Sequence, residues 1–143
     1  MRIGLTLAVF CSASYALAAD APKSAAISLN PAALQFARQL IREGRMISDL
    51  KGAWQTDKPS TARENDFIRG HGFEEYAKWY LGIDNRRSRR AKAHYKFPFG
   101  DFDVLHRCGL LAVKARAHEY GYADIEAAAD QLLAELEINR SGG

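Results

Sequence analysis

Apolar positions recur along this chain mainly at helical spacing. After Asn30-Pro31, the residues Leu34, Ala37, Leu40 and Ile41 make one face, and Gln35, Arg38, Gln39 and Arg42 lie away from it. Asparagine can cap a helix, and proline at its first position lacks an N–H that would be unpaired anyway. A helix is therefore predicted from Pro31, stopping at Gly44. Met46 to Pro59 has no period and carries turn-forming residues. Ser60 or Thr61 begins the next helix, with Thr61 and Glu64 at capping-box spacing. It carries Phe67 and Ile68 and breaks at Gly70-His71-Gly72. Phe73 to Leu81 reads as a further short helix with Phe73, Tyr76, Ala77 and Tyr80 on one side; a strand through Trp79 to Ile83 is the alternative.

Tyr95 to Phe99 alternates aromatic with non-aromatic residues, and Pro98 forbids a helix interior or a central strand, so an extended edge segment is expected. Asp101 reads as the cap of a helix running to Tyr120, with Gly121 past its end. Val104, Cys108, Leu111 and Ala115 line one stripe of it, and Leu105, Leu110, Ala112 and Val113 widen the apolar surface to most of the circumference. That pattern predicts a central, buried helix. A last amphipathic helix from Asp124 to Glu137 turns Ile125, Ala128, Ala129, Leu132, Leu133 and Leu136 inward. The resulting fold class is mainly α: one small domain of four to five helices over 30–138, with an aromatic extended segment packed on the central helix. Residues 139–143 are expected to be a disordered tail.

The chain begins with a different signal. Arg2 and the amino terminus are positive, Ile3 to Phe10 is uncharged and mostly apolar, and Ala16-Leu17-Ala18 supplies small-x-small before Ala19. The apolar run is shorter than the roughly 20 residues a spanning helix needs. Residues 1–18 are read as a cleaved signal peptide and 19–29 as a flexible leader, which implies a periodic-free entry into a periplasmic or secreted protein without a stable membrane anchor. Removing Arg2 takes the formal charge of +3 to +2. Cys11 leaves with the signal, so Cys108 remains alone and no intramolecular disulfide can form.

Several words stand out: Lys51-Gly52-x-Trp54, His71-Gly72-Phe73-x-x-Tyr76, Trp79-Tyr80-Leu81-Gly82-Ile83-Asp84, Tyr95-Lys96-Phe97-Pro98-Phe99-Gly100-Asp101-Phe102, His106-Arg107-Cys108-Gly109-Leu110-Leu111-Ala112, and Tyr122-x-Asp124-Ile125-Glu126. Together, from Lys51 to Leu133, they resemble a family of small bacterial proteins of unassigned function. The resemblance implies a shared fold and brings no activity with it.

Metal binding and catalysis find little support in the spacing. Two residues apart on a helix, His106 and Cys108 would point about 200° from one another and could not hold one ion. No Cys-x-x-Cys or His-x-x-x-His pair occurs, and a site from His71, His94 and His118 has no spacing to recommend it. No metal ligand, cofactor or catalytic residue is assigned. Cys108 reads as a buried thiol rather than a nucleophile, and Asp101 and Asp103 read as acids complementing a helix start.

Charge gives the sharper pattern. Arg86, Arg87, Arg89, Arg90, Lys92 and Lys96 put six cations in eleven residues with no acid among them. With the interleaved Tyr95, Phe97 and Phe99 they could face a polyanion; an exported protein rarely meets cytosolic nucleic acid, so extracellular DNA, an anionic envelope glycolipid or a cell-wall polymer is the expected partner. Glu119 to Arg140 carries a net −5, so basic loop and acidic helix could also pair, within one molecule or between two. Of the twelve Phe, Trp and Tyr residues between Trp54 and Tyr122, most are expected in the core, with Trp54, Trp79 and Tyr95 the candidates for a ligand cleft. The leading expectation is an exported binding module that contacts an anionic polymer or a protein partner. The alternatives are a small enzyme with a cleft near His71, Asp101 and His106, and a structural or oligomeric subunit.

Overall fold

A computed structural model describes residues 26–142, so the signal peptide and most of the 19–29 leader lie outside the described residues. The elements run β1 (Ile27–Leu29), α1 (Pro31–Arg42), β2 (Met46–Ile47), α2 (Trp54–Asp57), α3 (Thr61–Ala77), β3 (Tyr80–Asp84), β4 (Tyr95–Pro98), β5 (Leu105–His106), α4 (Arg107–Tyr120) and α5 (Ala123–Ser141). Two sheets accompany the helices. One is antiparallel with strand order β1-β3-β4, and the other is the parallel pair β2-β5. The fold is α+β, which overturns the mainly α expectation.

The strands escaped the periodicity for physical reasons. β3 is covered on both sides, so Tyr80-Leu81-Gly82 is a continuous buried run without the alternation of a half-exposed strand. Its first residue also fits the i, i+3, i+4 spacing of Phe73, Tyr76 and Ala77, which favoured a helix. α3 instead ends at Ala77, and a kink at Gly72 (φ 81°, ψ 173°) divides it at the glycines that suggested a break. Ile27–Leu29, expected to be flexible leader, pairs with β3, because Asp84 to Gly82 offer it an edge. β4 is the other edge strand, where Pro98 lacks an N–H that no partner needs. At the C-terminus α5 continues through the expected tail to Ser141.

α4 and α5 form a helical hairpin closed by Gly121 at φ 74°. α1 packs on α5, and the β1-β3-β4 sheet packs against α1, α4 and α5. Leu110, Val113 and Ala117 of α4 meet Ile125, Ala129, Leu132 and Leu136 of α5, all buried. The aromatic residues make the second half of the core: Trp79 lies against Phe36, Phe99 and Phe102, and Tyr76 against Tyr80 and Tyr95. Asn30 does more than cap α1. Its Oδ1 accepts from Ala33, and its Nδ2 donates to the carbonyls of Ala77 and Tyr80, tying the start of α1 to the α3–β3 junction.

α4 is not buried all round. Cys108, Gly109, Leu110, Val113 and Ala117 are its buried residues, whereas Leu111 and Ala112 are half-buried and Ala115 is exposed. The predicted stripe of Cys108, Leu111 and Ala115 is a wall of an open cleft.

The basic segment is held down rather than free along its length. Arg86 grips buried Asp84 with Nε and Nη2 at 2.9 and 3.0 Å, and Lys92 reaches Glu64 at 2.8 Å. His94 Nδ1 lies 2.8 Å from the Arg87 carbonyl, and the Tyr95 hydroxyl donates to the Arg89 carbonyl. The acids of α5 pair elsewhere, Glu135 with Arg38 and Glu137 with Arg107, so pairing between basic loop and acidic helix within the molecule is not what forms.

The Arg86 hydrogen bonds hold the Asp84 carboxyl at about 2, below the usual 3.8, against the opposing effect of burial. A depressed carboxylate stabilises the fold fully above its unfolded pKa, and that stability is lost as the pH falls through the folded value. Asp84→Asn is therefore expected to cost about 1–2 kcal/mol near neutrality. In urea titrations at stepped pH, the difference from the parent should shrink below the usual carboxylate range and vanish under about pH 2. A difference that stays constant across that range would show that the ion pair contributes nothing.

Candidate metal centre

The parallel pairing of β2 with β5 is short but decisive. Met46 faces Leu105 and Ile47 faces His106, a register fixed by the Leu105 N–H donating to the Arg45 carbonyl at 3.1 Å. Two residues beyond β2, Asp49 therefore arrives beside Cys108, two residues beyond β5's His106. The Asp49 carboxylate accepts the Cys108 backbone N–H at 2.7 Å through Oδ1 and the thiol at 2.9 Å through Oδ2. His106 precedes α4 and offers its first turn no side-chain cap, so Asp49 caps α4 from a distant segment.

His106 is not helical. Its φ of −105° and ψ of 125° are extended, and α4 begins only at Arg107. Asp101 does accept N–H groups, from Asp103 and Val104, as a cap does. The chain then turns back, with Gly100 bridging to Leu105, instead of entering a helix. That corrects the expectation that His106 and Cys108 must diverge: with one residue extended and the other in the first helical turn, both side chains reach Asp49.

Around them a cluster closes. His106 Nδ1 lies 2.7 Å from Asp49 Oδ2, and Nε2 lies 3.0 Å from Asp101 Oδ2. Asp57, the last residue of α2, brings Oδ2 to 3.8 Å from His106 Nδ1 and 3.9 Å from Cys108 Sγ. One ligand atom each from Asp49, Asp57, His106 and Cys108 falls within 4.8 Å of the others. His106 and Cys108 are buried, Asp49 nearly so, and the Asp57 side chain is a third exposed. Trp54, one turn ahead of Asp57, places its ring 5.6 Å from the His106 ring.

The packing beneath the cluster is tight at Gly109. A Cβ there would stand 2.9 Å from the Phe99 carbonyl oxygen, so only glycine lets α4 approach so closely. The same carbonyl accepts the His106 N–H at 3.0 Å, which fixes the imidazole's backbone.

Electrostatically the site is short of positive charge. Three carboxylates and a thiol meet one imidazole, and no Lys or Arg among the described residues pairs with Asp49, Asp57 or Asp101. Burial raises the Asp49 carboxyl, but hydrogen bonds from the Cys108 thiol and amide and from His106 outweigh it and hold it at about 2. The hydrogen bond shared with Asp49, then burial, raises Asp57. Burial lowers His106, yet its contacts with Asp101 and Asp49 win and raise it. Burial first, and Asp49 next, push the Cys108 thiol up to about 12. A thiol so held keeps its proton as a donor to Asp49 and is not a free nucleophile.

The other sequence candidates disperse. Trp54 and Lys96 line a cleft beside the cluster. Trp79 is 3% exposed and belongs to the core. Tyr95 is buried, with Arg89 and Arg90 beside it at the rim of a second hollow. Arg86 and Lys92 are spent in ion pairs, and Arg87 is exposed. Of the trio expected at an enzyme cleft, Asp101 and His106 meet, while exposed His71 stacks on Phe67 at 4.4 Å and joins no ligating cluster among the described residues. Asp49 and Asp57 were missed altogether. The usable signal was His106 and Cys108 two residues apart: only a helix start placed after His106 lets both side chains reach one point.

No protein-family model, curated protein or solved structure matches this chain. The distinctive words from Lys51 to Glu126 therefore bring no residue role to the site, and its geometry stands by itself.

Proposed function

We propose that this protein binds a divalent transition-metal ion of the zinc class at Asp49, Asp57, His106 and Cys108. The carrying observation is the convergence of those four donor atoms, from three separate segments, on one largely buried point. Bond lengths of about 2.0–2.3 Å in a tetrahedron set neighbouring donor atoms roughly 3.3–3.8 Å apart. The distances from Asp57 to His106 and Cys108, 3.8 and 3.9 Å, lie at and just beyond the upper end of that spacing, so a small inward shift of the Asp57 side chain meets it. Those from Asp49, 2.7 and 2.9 Å, are hydrogen-bond lengths, because protons occupy the place a cation would take. Loss of the two protons and outward movement of under about 1 Å by Asp49 completes the set.

The environment of His106 supports the same reading. A ligating imidazole commonly donates its far N–H to a carboxylate, which fixes ring orientation and raises basicity. Asp101 stands in that position, 3.0 Å from Nε2, leaving Nδ1 for the ion. A mixed nitrogen, oxygen and thiolate set favours zinc or cobalt over the hard cations magnesium and calcium.

Titrating the reduced, chelator-treated protein with cobalt(II) tests this. One equivalent is expected to produce a thiolate-to-cobalt charge-transfer band, bleached by zinc and accompanied by proton release from Cys108. A flat spectrum at stoichiometric cobalt would sink the reading. Asp101→Asn should keep the band while weakening zinc binding by about 10–100-fold, the usual cost of losing a supporting carboxylate. Unchanged affinity in a competition assay with a chromophoric chelator would remove Asp101 from the site.

A second reading concerns the basic segment. Arg87, Arg89 and Arg90 are exposed and make no ion pair among the described residues, unlike Arg86 and Lys92, which favours their use against an anionic polymer. Binding to such a polymer that survives glutamine at all three positions would remove it. Export through residues 1–18 remains part of the proposal, and the amino terminus of protein recovered from its host, expected at Ala19, tests it.

A further inference from the structure

Beside the cluster lies a half-open cleft of about 660 Å³, within the range of about 300–1,000 Å³ used for small ligands. Its apolar wall is the face of α4 that periodicity assigned to the core: Leu111 and Ala112, opposed by Trp54, Phe97 and Tyr122. Cys108 forms the floor, so the cleft and the cluster share one residue. Phe97 holds its ring there at a cost, since its φ of 63° is left-handed and it precedes proline. The ring packs edge-on against Tyr122, 5.8 Å between centroids.

The charged residues that line this cleft are of one sign, the carboxylates of Asp49 and Asp57 lying behind Cys108. Lys51, Lys58, Lys96 and Arg116 line it, and no Asp or Glu does. None of the four makes an ion pair among the described residues, although most other cations near α4 and α5 have one. An apolar trough whose charged lining residues are all cations is complementary to a molecule with an apolar body and an anionic head. A neutral apolar ligand would leave the cations unused, and a bare anion would leave the aromatic and aliphatic wall in water.

We infer that this cleft binds a small hydrophobic carboxylate, its body against Leu111, Trp54 and Phe97 and its head among Lys58, Lys96 and Arg116. The inference rests on the cleft and its charges and does not require an ion in the neighbouring cluster. It differs from polymer binding by Arg87, Arg89 and Arg90, none of which lines this cleft.

Tryptophan emission reads the binding directly, because Trp79 is buried in the core and Trp54 faces the cleft. Dodecanoate, dodecanol and acetate would be titrated into chelator-treated protein, with Trp54→Phe as the control for the signal. Saturable dodecanoate binding is expected, at least about tenfold tighter than dodecanol, with no response to acetate. The double variant Lys58→Gln/Lys96→Gln should weaken dodecanoate about tenfold and leave dodecanol unchanged. Leu111→Glu, at a half-buried position, should abolish dodecanoate binding by setting a carboxylate in the wall. Equal affinity for dodecanol and dodecanoate would overturn the proposal, as would affinity unmoved by the lysine pair. Binding that appears only after zinc loading would also overturn it, by placing the head on the ion instead of the cations. The cobalt titration is read without any carboxylate present, so failure of one experiment leaves the other standing.

Discussion

Cys108→Ser is expected to erase the thiolate band of the cobalt-loaded protein and to weaken zinc binding by about 10²–10³-fold. That estimate takes roughly a quarter of the binding free energy of about 10–16 kcal/mol seen at structural zinc sites. The substitution suits the question because it spares the fold. Cys108 Sγ and a serine hydroxyl can both donate to Asp49, and the backbone N–H that Asp49 accepts at 2.7 Å is untouched. Thermal unfolding of the apo variant should therefore lie within a few degrees of the parent, about 1 kcal/mol or less. Undiminished zinc affinity in the serine variant, measured by chelator competition, would mean that sulfur is no ligand.

Phe99→Ala should cause the largest loss of stability, about 3–5 kcal/mol, corresponding to roughly 10–25 °C in melting temperature. Phe99 is fully buried, its ring lies 6.1 Å from that of Trp79, and its N–H donates to the Trp79 carbonyl. It also underlies the site: its carbonyl accepts the His106 N–H, and its backbone fills the space against Gly109. Removing the ring loosens the strand that sets the imidazole, so metal affinity should fall along with stability. A melting temperature within two or three degrees of the parent would show that this aromatic layer collapses without cost, against the close packing described above.

What the amino-acid pattern revealed and what it hid follow from the range of each interaction. Asn30-Pro31, the glycines before Phe73 and Gly121 act within a few residues, so the start of α1, the kink in α3 and the end of α4 were all readable. The amphipathic face of α5 was readable for the same reason. β2 and β5 are two residues each, too short to carry a period, and their pairing joins segments far apart in the sequence. Asp49 looks locally like an ordinary loop acid; only the parallel register makes it the cap of α4.

The error over His106 was similarly local. Asp101 satisfies backbone N–H groups two and three residues ahead, which both a helix cap and a tight turn do. Reading it as the start of α4 rotated His106 and Cys108 apart and removed the metal site from view. The apolar excess on α4 was also real but misassigned: part of it is core, and Leu111, Ala112 and Ala115 form a wall open to a ligand. Of the basic residues singled out, Lys96 reached that cleft, while Arg86 and Lys92 proved to be partners of Asp84 and Glu64.

The most direct measurement is the X-ray absorption fine structure of the stoichiometric zinc complex of the reduced protein. Binding through Asp49, Asp57, His106 and Cys108 predicts one sulfur scatterer at about 2.3 Å and three nitrogen or oxygen scatterers at about 2.0–2.2 Å. A first shell of nitrogen and oxygen alone, or a protein that retains no zinc after desalting, would contradict it.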